Sequence, residues 1–320
     1  MTQGQQRHGA SGPRAAHVAI LLGTLDGAAF LPQQLDSIQE QSHRDWSIEA
    51  SDDGSKDSTL DVLASYRRRW GDARLQVRRG PAHGFCANFL SLVCAVDIQA
   101  DYFAYCDQDD LWEPDKLERA VRWLSNQPKD TPALYCGRTR LVDVHGETIG
   151  FSPLFTRPVG IRNALVQSVA GGNTMMINGA ARTLLVEAGP DIDVQTHDWW
   201  TYLVVAACGG VIHYDSHCSV AYRQHAANLV GSNIFMRGRV RRAARLLAGH
   251  FREMNERNMT ALSRLRHKMD KDCKETVDCF ALARRSGTLG RIKGVLSAGV
   301  YCQTPLANLG LAVATILNRL

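Results

Sequence analysis

Residues 102–117 read YFAYCDQDDLWEPDKL, an apolar run that stops on Asp107, Asp109 and Asp110. Beyond the acids come Pro114 and an apolar stripe of Leu117, Ala120, Val121 and Leu124. The pattern predicts a buried strand, a charged tip, and a helix opened by Pro114. The same unit recurs upstream. HVAILL (17–22), WSIEA (46–50) and RLQVR (74–78) read as strands before DYFAYC (101–106). Between them lie helical stretches. PQQLDSIQE has Pro32 in its first turn and Leu35 and Ile38 on one face. SKDSTLDVLASYRRRW offers Ser55 or Asp57 as a cap, with Leu60 and Leu63 in register. From Phe85 on, Phe89, Leu92, Val93 and Val96 form a stripe. Strands alternating with helices predict an α/β fold, a Rossmann-like, mostly parallel sheet with helices on both faces.

Past residue 130 the pattern loosens. ALYCG and VIHYD read as strands and GIRNALVQSV as helical. From Phe235 the character changes: five arginines fall between 237 and 245, and charged helix follows to about residue 285. Residues 294–317 carry no charge. The expected organisation is a polar, disordered tail over 1–16, which is not a signal peptide, a catalytic domain over 17–232, and a helical C-terminal extension over 233–320.

Composition narrows the function. The 320 residues are 45% hydrophobic and 22% charged, with formal net charge +5, too mild to point to nucleic acid. Nine cysteines are scattered without a Cys-x-x-Cys pair, which argues against a disulfide framework or zinc site and for a reducing compartment.

Ligands of open α/β sheets bind beyond the carboxyl ends of the strands. Two acidic clusters fall there, Asp52-Asp53 after WSIEA and Asp107-Gln108-Asp109-Asp110 after YFAYC. Crowded carboxylates call for a hard cation, Mn²⁺ or Mg²⁺, which typically bridges protein oxygens to phosphate. The plainer reading is helix capping, and it fits Asp57 and Asp115. Two clusters on successive strand ends favour the metal. There is no Gly-x-x-x-x-Gly-Lys-Ser/Thr loop and no Gly-x-Gly-x-x-Gly after a strand, so a metal-held diphosphate is expected instead of a P-loop or dinucleotide site.

Seven segments complete the picture: ILLGTLDGAAFLPQQLDSI, SDDGSKDST, GFCANF, YCDQDDLWEPDKL, GGNTMMIN, HDWW and YRQHAANLVG. In this order they resemble the family 2 glycosyltransferases of the GT-A fold, and within them the rhamnosyltransferase-like enzymes of bacterial surface-polysaccharide assembly. The resemblance spans residue 17 to about 232. It implies an inverting, metal-dependent transferase. Thr24 and Asp26 match the first nucleotide loop, although Thr24-Leu25-Asp26-Gly27 replaces the usual Thr-Tyr-Asn-Gly. Asp52 and Asp53 match the pair that meets base and ribose. Asp107 and Asp109 form the Asp-x-Asp motif, with Asp107 on the nucleotide side and Asp109 on the metal. Asp198 matches the general base. Gly171 and Gly172 match the acceptor side, where Trp199 and Trp200 either stack on a sugar or pack in the core. Arg223 and His225 match a late loop near the diphosphate; guanidinium geometry makes Arg223 the phosphate candidate, and His225 reads either as a metal ligand or as a solvated or hydrogen-bonded histidine.

The implied partners are a UDP- or dTDP-linked sugar, commonly rhamnose in this subgroup, and a glycan or lipid-linked acceptor. The expected location is cytoplasmic. The arginine-rich segment and uncharged end suggest peripheral contact with the inner face of the cell membrane, against the alternative of a packed helical subdomain. Two other readings stay open, a sugar-phosphate nucleotidyltransferase and a non-catalytic sugar-nucleotide binding module.

Overall fold

The computed structural model describes residues 15–225 and 249–320. The arginine-rich segment, most of the N-terminal tail and the end of the YRQHAANLVG motif lie outside them. A sheet of nine strands organises the chain. β1 (Val18–Thr24), β2 (Trp46–Asp52), β3 (Leu75–Arg79) and β4 (Tyr102–Cys106) are parallel, in the order β3-β2-β1-β4. As the alternation predicted, a helix follows each of the first three: α1 (Leu31–Gln39), α2 (Thr59–Trp70) and α3 (Phe85–Cys94).

Strand periodicity sends alternate side chains to opposite faces, and each face has its own core. Ala19 and Leu21 of β1, with Phe103 and Tyr105 of β4, join one cluster under α3. Val18, Ile20 and Leu22, with Ala104 and Cys106, join the other under α1 and α2. Leu31, Leu35 and Ile38 of α1 are fully buried there. Such burial stabilises by about 1.5–3 kcal/mol per side chain.

Beyond β4 the sheet becomes mixed. A two-residue strand, β5 (Leu111–Trp112), precedes α4 (Lys116–Leu124). β6 (Ala133–Val142) pairs antiparallel with β7 (Thr148–Phe151) and β8 (Met176–Asn178), and β8 pairs antiparallel with β4. The long β9 (Val211–Arg223) runs parallel to β6, with register shifts around Arg138. Its far end pairs antiparallel with β5, Leu111 opposite Ala221, which carries Arg223 to the acidic tip of β4.

Local expectations were corrected in places. Val96 lies past the end of α3 and is 71% exposed, so it is not part of the stripe. Leu60 is exposed. The helical reading of GIRNALVQSV shrinks to the single turn α5 (Ile161–Ala164). The strand β5 had no periodic signal, because two residues cannot show a period of two.

α6 (Gly179–Ala188) and α7 (His197–Ala207) cover the α3 side. Against them pack α8 (His250–Ser263), α9 (Lys271–Arg285), α10 (Thr288–Ala298) and α11 (Pro305–Ile316), through Leu262, Leu265, Phe280 and Ala314. Among the described residues no helix is long and apolar enough to cross a membrane.

Candidate active site

Parallel pairing sets the strand tips side by side. Thr24 at the end of β1 lies opposite Asp52 at the end of β2, and Leu22 lies opposite Cys106 of β4. The β1 loop therefore runs between the two acidic clusters and is tied to both. Leu25 donates its N–H to Gln108 Oε1 at 2.8 Å, and Gln108 Nε2 donates to Leu25 O at 2.9 Å. A Cβ at Gly27 would stand 2.2 Å from Gln108 Oε1, which is why glycine suits that position. On the other side Asp26, with φ of 48°, accepts the Lys56 N–H at 2.6 Å, and Gly27 N–H reaches Thr59 Oγ1 at 2.8 Å.

The Asp52 carboxylate is saturated. Oδ1 accepts from Thr24 Oγ1 and Ser55 Oγ, and Oδ2 from the N–H groups of Gly54 and Ser55. A carboxylate has about four lone-pair sites. The capacity of Asp52 is filled by its own loop and by Thr24, which sets it apart from Asp53. Asp53 accepts the Ala82 and Gly84 N–H groups at 2.7 and 2.9 Å and keeps capacity for a ligand.

At the β4 tip the ledger reverses. Among the described residues nothing donates to the half-buried Asp107 carboxylate. Burial pushes its pKa well above the usual carboxylate range, and the charges of Asp110, Asp109 and Asp198 push further. Asp109 Oδ2 lies 2.7 Å from His225 Nε2, and the His225 ring stacks on Phe30 with centroids 4.9 Å apart. Asp110 is fully buried. It accepts from Asn173 Nδ2 at 2.6 Å and from the Arg223 N–H at 3.2 Å, and burial followed by Asp109 raises its pKa to about 7. Lys116 lies buried nearby, its Nζ 3.6 Å from the Trp112 ring centroid, with a pKa lowered by burial to about 8.

Arg223 is 1% exposed. Its Nε donates to Asp109 O, one terminal nitrogen to Val144 O and the other to Gln33 Oε1, while the guanidinium packs 4.8 Å from the Phe30 centroid. These bonds tie Arg223 to the loop that carries Asp109.

Asp198 sits in the first turn of α7, half-buried, with Oδ1 accepting the Trp199 N–H at 2.6 Å. Trp199 and Trp200 are 5% and 0% exposed, and Trp199 Nε1 donates to Ala164 O at 2.7 Å. Core packing takes both rings, so the sugar-stacking alternative is withdrawn. Gly171 is exposed and Gly172 buried. A Cβ on Gly172 would lie 2.3 Å from His197 Nε2. His197 stacks on Phe89 with centroids 4.1 Å apart, both its ring nitrogens lack a hydrogen-bond partner, and burial lowers its pKa to about 4.

The structure thus brings Asp107, Asp109 and His225 to one tip, with Asp198 in electrostatic range across it. Sequence reasoning gave no separate role to Gln108, Asp110 and Asn173, which tie the tip to its neighbours, or to the buried Lys116. Their presence inside the quoted motifs was the available signal. Among the described residues no three His, Cys, Asp or Glu side chains form a metal cage. The donors still suit a hard cation, because Mg²⁺-type ions usually take one or two carboxylates and complete their shell with substrate phosphate and water. The charge-crowded Asp107, without a donor among the described residues, fits that demand.

Comparison with known proteins agrees with this geometry. Residues 20–183 match the family model described as glycosyl transferase family 2. A dTDP-rhamnosyl transferase of Shigella flexneri, RfbG, is 28% identical over 237 residues, covering 69% of this chain and 77% of that protein. The crystal structure of S. aureus TarS 1-349 in complex with UDP-GlcNAc superposes with a TM-score of 0.54 at 14% identity, covering 95% of this chain and 89% of that one. The mannosyltransferase PcManGT from Pyrobaculum calidifontis, in complex with GDP-Man and Mn²⁺, gives 0.51 at 18% identity, covering 96% and 86%. These likenesses show the GT-A fold.

Proposed function

The chain belongs to glycosyl transferase family 2, and from that premise we propose that it is an inverting, metal-dependent enzyme moving a sugar from a nucleoside diphosphate to a hydroxyl of a glycan or lipid-linked glycan. The likeness to RfbG supports dTDP-rhamnose as donor. The observation that carries the reading is the Asp107 carboxylate, which accepts no hydrogen bond among the described residues and is crowded by Asp109, Asp110 and Asp198 at a parallel strand end. Asp109 and His225 are the proposed metal ligands, with Asp107 beside them toward the nucleotide; Mn²⁺ is supported by the PcManGT complex and Mg²⁺ by the same oxygen chemistry. When bound, such a cation stabilises charge on the departing diphosphate. Thr24, Asp26 and Asp53 line the nucleotide side. Asp198 takes the proton from the acceptor hydroxyl, which approaches past Gly171 and Gly172 and attacks the face opposite the leaving group.

The C-terminal helices support peripheral membrane contact. Leu289, Leu296, Leu306 and Leu309 are 85%, 75%, 62% and 62% exposed on α10 and α11. Apolar side chains presented this way suit the boundary of a lipid headgroup layer.

Incubating the protein with dTDP-rhamnose, UDP-linked sugars and Mn²⁺ tests the donor reading. Slow release of dTDP from dTDP-rhamnose is expected. Pyrophosphate release would instead point to a nucleotidyltransferase, and binding without turnover to a binding module.

A further inference from the structure

A cavity opens in the C-terminal helical layer, lined by no residue of the acidic tip. It measures about 710 Å³ and is walled by α8 and α9 with residues from the start of α10 and the chain end. Arg252, Arg266, Arg284, Arg285 and Arg291 line it, against two carboxylates, Glu256 and Asp278. The carboxylates are committed. Arg266 holds Asp278 through both terminal nitrogens at 2.6 and 2.7 Å, and Arg284 meets Glu256 at 2.8 Å. Among the described residues no carboxylate pairs with Arg252, Arg285 or Arg291.

Two of these cations are buried and incompletely bonded. Arg291 is 5% exposed, donates to Thr315 O and Ser286 O, and leaves Nε without a partner. The Arg284 side chain is 7% exposed and its Nε is also unpartnered. Buried donors are normally satisfied, and leaving them orphaned costs free energy. Burial lowers the Arg284 pKa, Glu256 opposes that, and the Arg252 and Arg285 charges lower it further. An excess of guanidinium around a cavity selects a polyoxygen anion, and their planar forks match phosphate. Met259, Met269, Val277 and Ala281 supply an apolar wall beside them.

We propose that this cavity is a phosphate-binding site, with Arg252, Arg285 and Arg291 holding the phosphate and the apolar wall available to an alkyl chain attached to it. The site is independent of the transferase centre and uses no residue of it.

Titration calorimetry on the full chain in EDTA tests this, because removing divalent cations keeps phosphate from being captured at the acidic tip. The probes are inorganic phosphate, decyl phosphate and decanol. Both phosphates are expected to bind and decanol not to bind. Affinity should fall by about tenfold for each arginine removed in R252Q and R285Q. Both side chains are exposed, so the fold should survive, which Tm will verify. Equal affinity for the two phosphates identifies free phosphate as the natural form. Tighter binding of decyl phosphate identifies a lipid headgroup. The proposal is overturned if neither phosphate binds, if decanol binds as well as decyl phosphate, or if the R252Q/R285Q protein keeps wild-type affinity.

Discussion

The tips of β2 and β4 carry the same kind of residues and use them in opposite ways. Asp52 has four donors from its own loop and from Thr24, so its charge is spent on holding the β1 and β2 loops together. Asp107 has none among the described residues, and its ionisation is opposed by burial and by three neighbouring carboxylates. One tip is a finished structural joint. The other is an incomplete electrostatic arrangement that a cation with phosphate would complete. Two acidic clusters after two parallel strands look alike in sequence, and hydrogen-bond accounting separates them.

The largest effect should come from Asp198, the proposed general base in the first turn of α7. Asp198→Asn keeps the hydrogen bond to Trp199 and the helix start but removes the proton acceptor. kcat should drop by roughly a hundredfold to ten-thousandfold, while donor affinity stays within a few fold. Near-normal kcat with weakened donor binding would move Asp198 into the nucleotide site and break the contrast drawn here.

Next in size is an acid-side effect of His197. Its ordinary pKa of 6.5 falls to about 4 in the fold because burial disfavours the imidazolium. The unfolded chain therefore takes up a proton between these values while the native state does not. Stability that is full above pH 6.5 is lost as pH falls toward 4, by about 3 kcal/mol. His197→Phe retains a ring against Phe89 and should flatten that part of the stability–pH curve, measured by denaturant unfolding. An unchanged slope would show that the ring takes up its proton alike in the folded and unfolded chain.

Smaller still is the cost at the finished joint. Asp52→Asn should destabilise by about 1–3 kcal/mol through mismatched buried donors. The smallest effect is expected at Trp199→Phe, which removes the bond to Ala164 O at about 1 kcal/mol and leaves kcat close to wild type. A large loss of acceptor affinity would return Trp199 to the acceptor side.

Much of this was legible beforehand. The alternating runs around residues 17–124 specify buried strands and one-sided helices, because periods of two and of 3.6 leave different apolar patterns. The mixed half was less so. β5 is too short to carry a pattern, and β9 reaches Asp110 only through register shifts and a pairing distant in sequence. At the candidate site, motif order singled out Asp107, Asp109, Asp198 and His225, which the fold brings near one another. It could not distinguish a guanidinium facing phosphate from one facing Asp109 O, Val144 O and Gln33, because that depends on which backbone carbonyls the fold brings to Arg223. The tryptophans of HDWW were ambiguous for a similar reason. An aromatic pair after an acid fits a sugar platform or a core, and only burial decides.

The contrast between the tips is tested most directly by dTDP affinity in Mn²⁺ and in EDTA, measured side by side for wild type, Asp109→Ala and Asp52→Asn. The account predicts that Mn²⁺ strengthens binding to wild type and to Asp52→Asn alike, and that Asp109→Ala binds equally weakly in Mn²⁺ and EDTA. Retention of the Mn²⁺ effect in Asp109→Ala together with its loss in Asp52→Asn would contradict it, and would place the cation at the tip of β2.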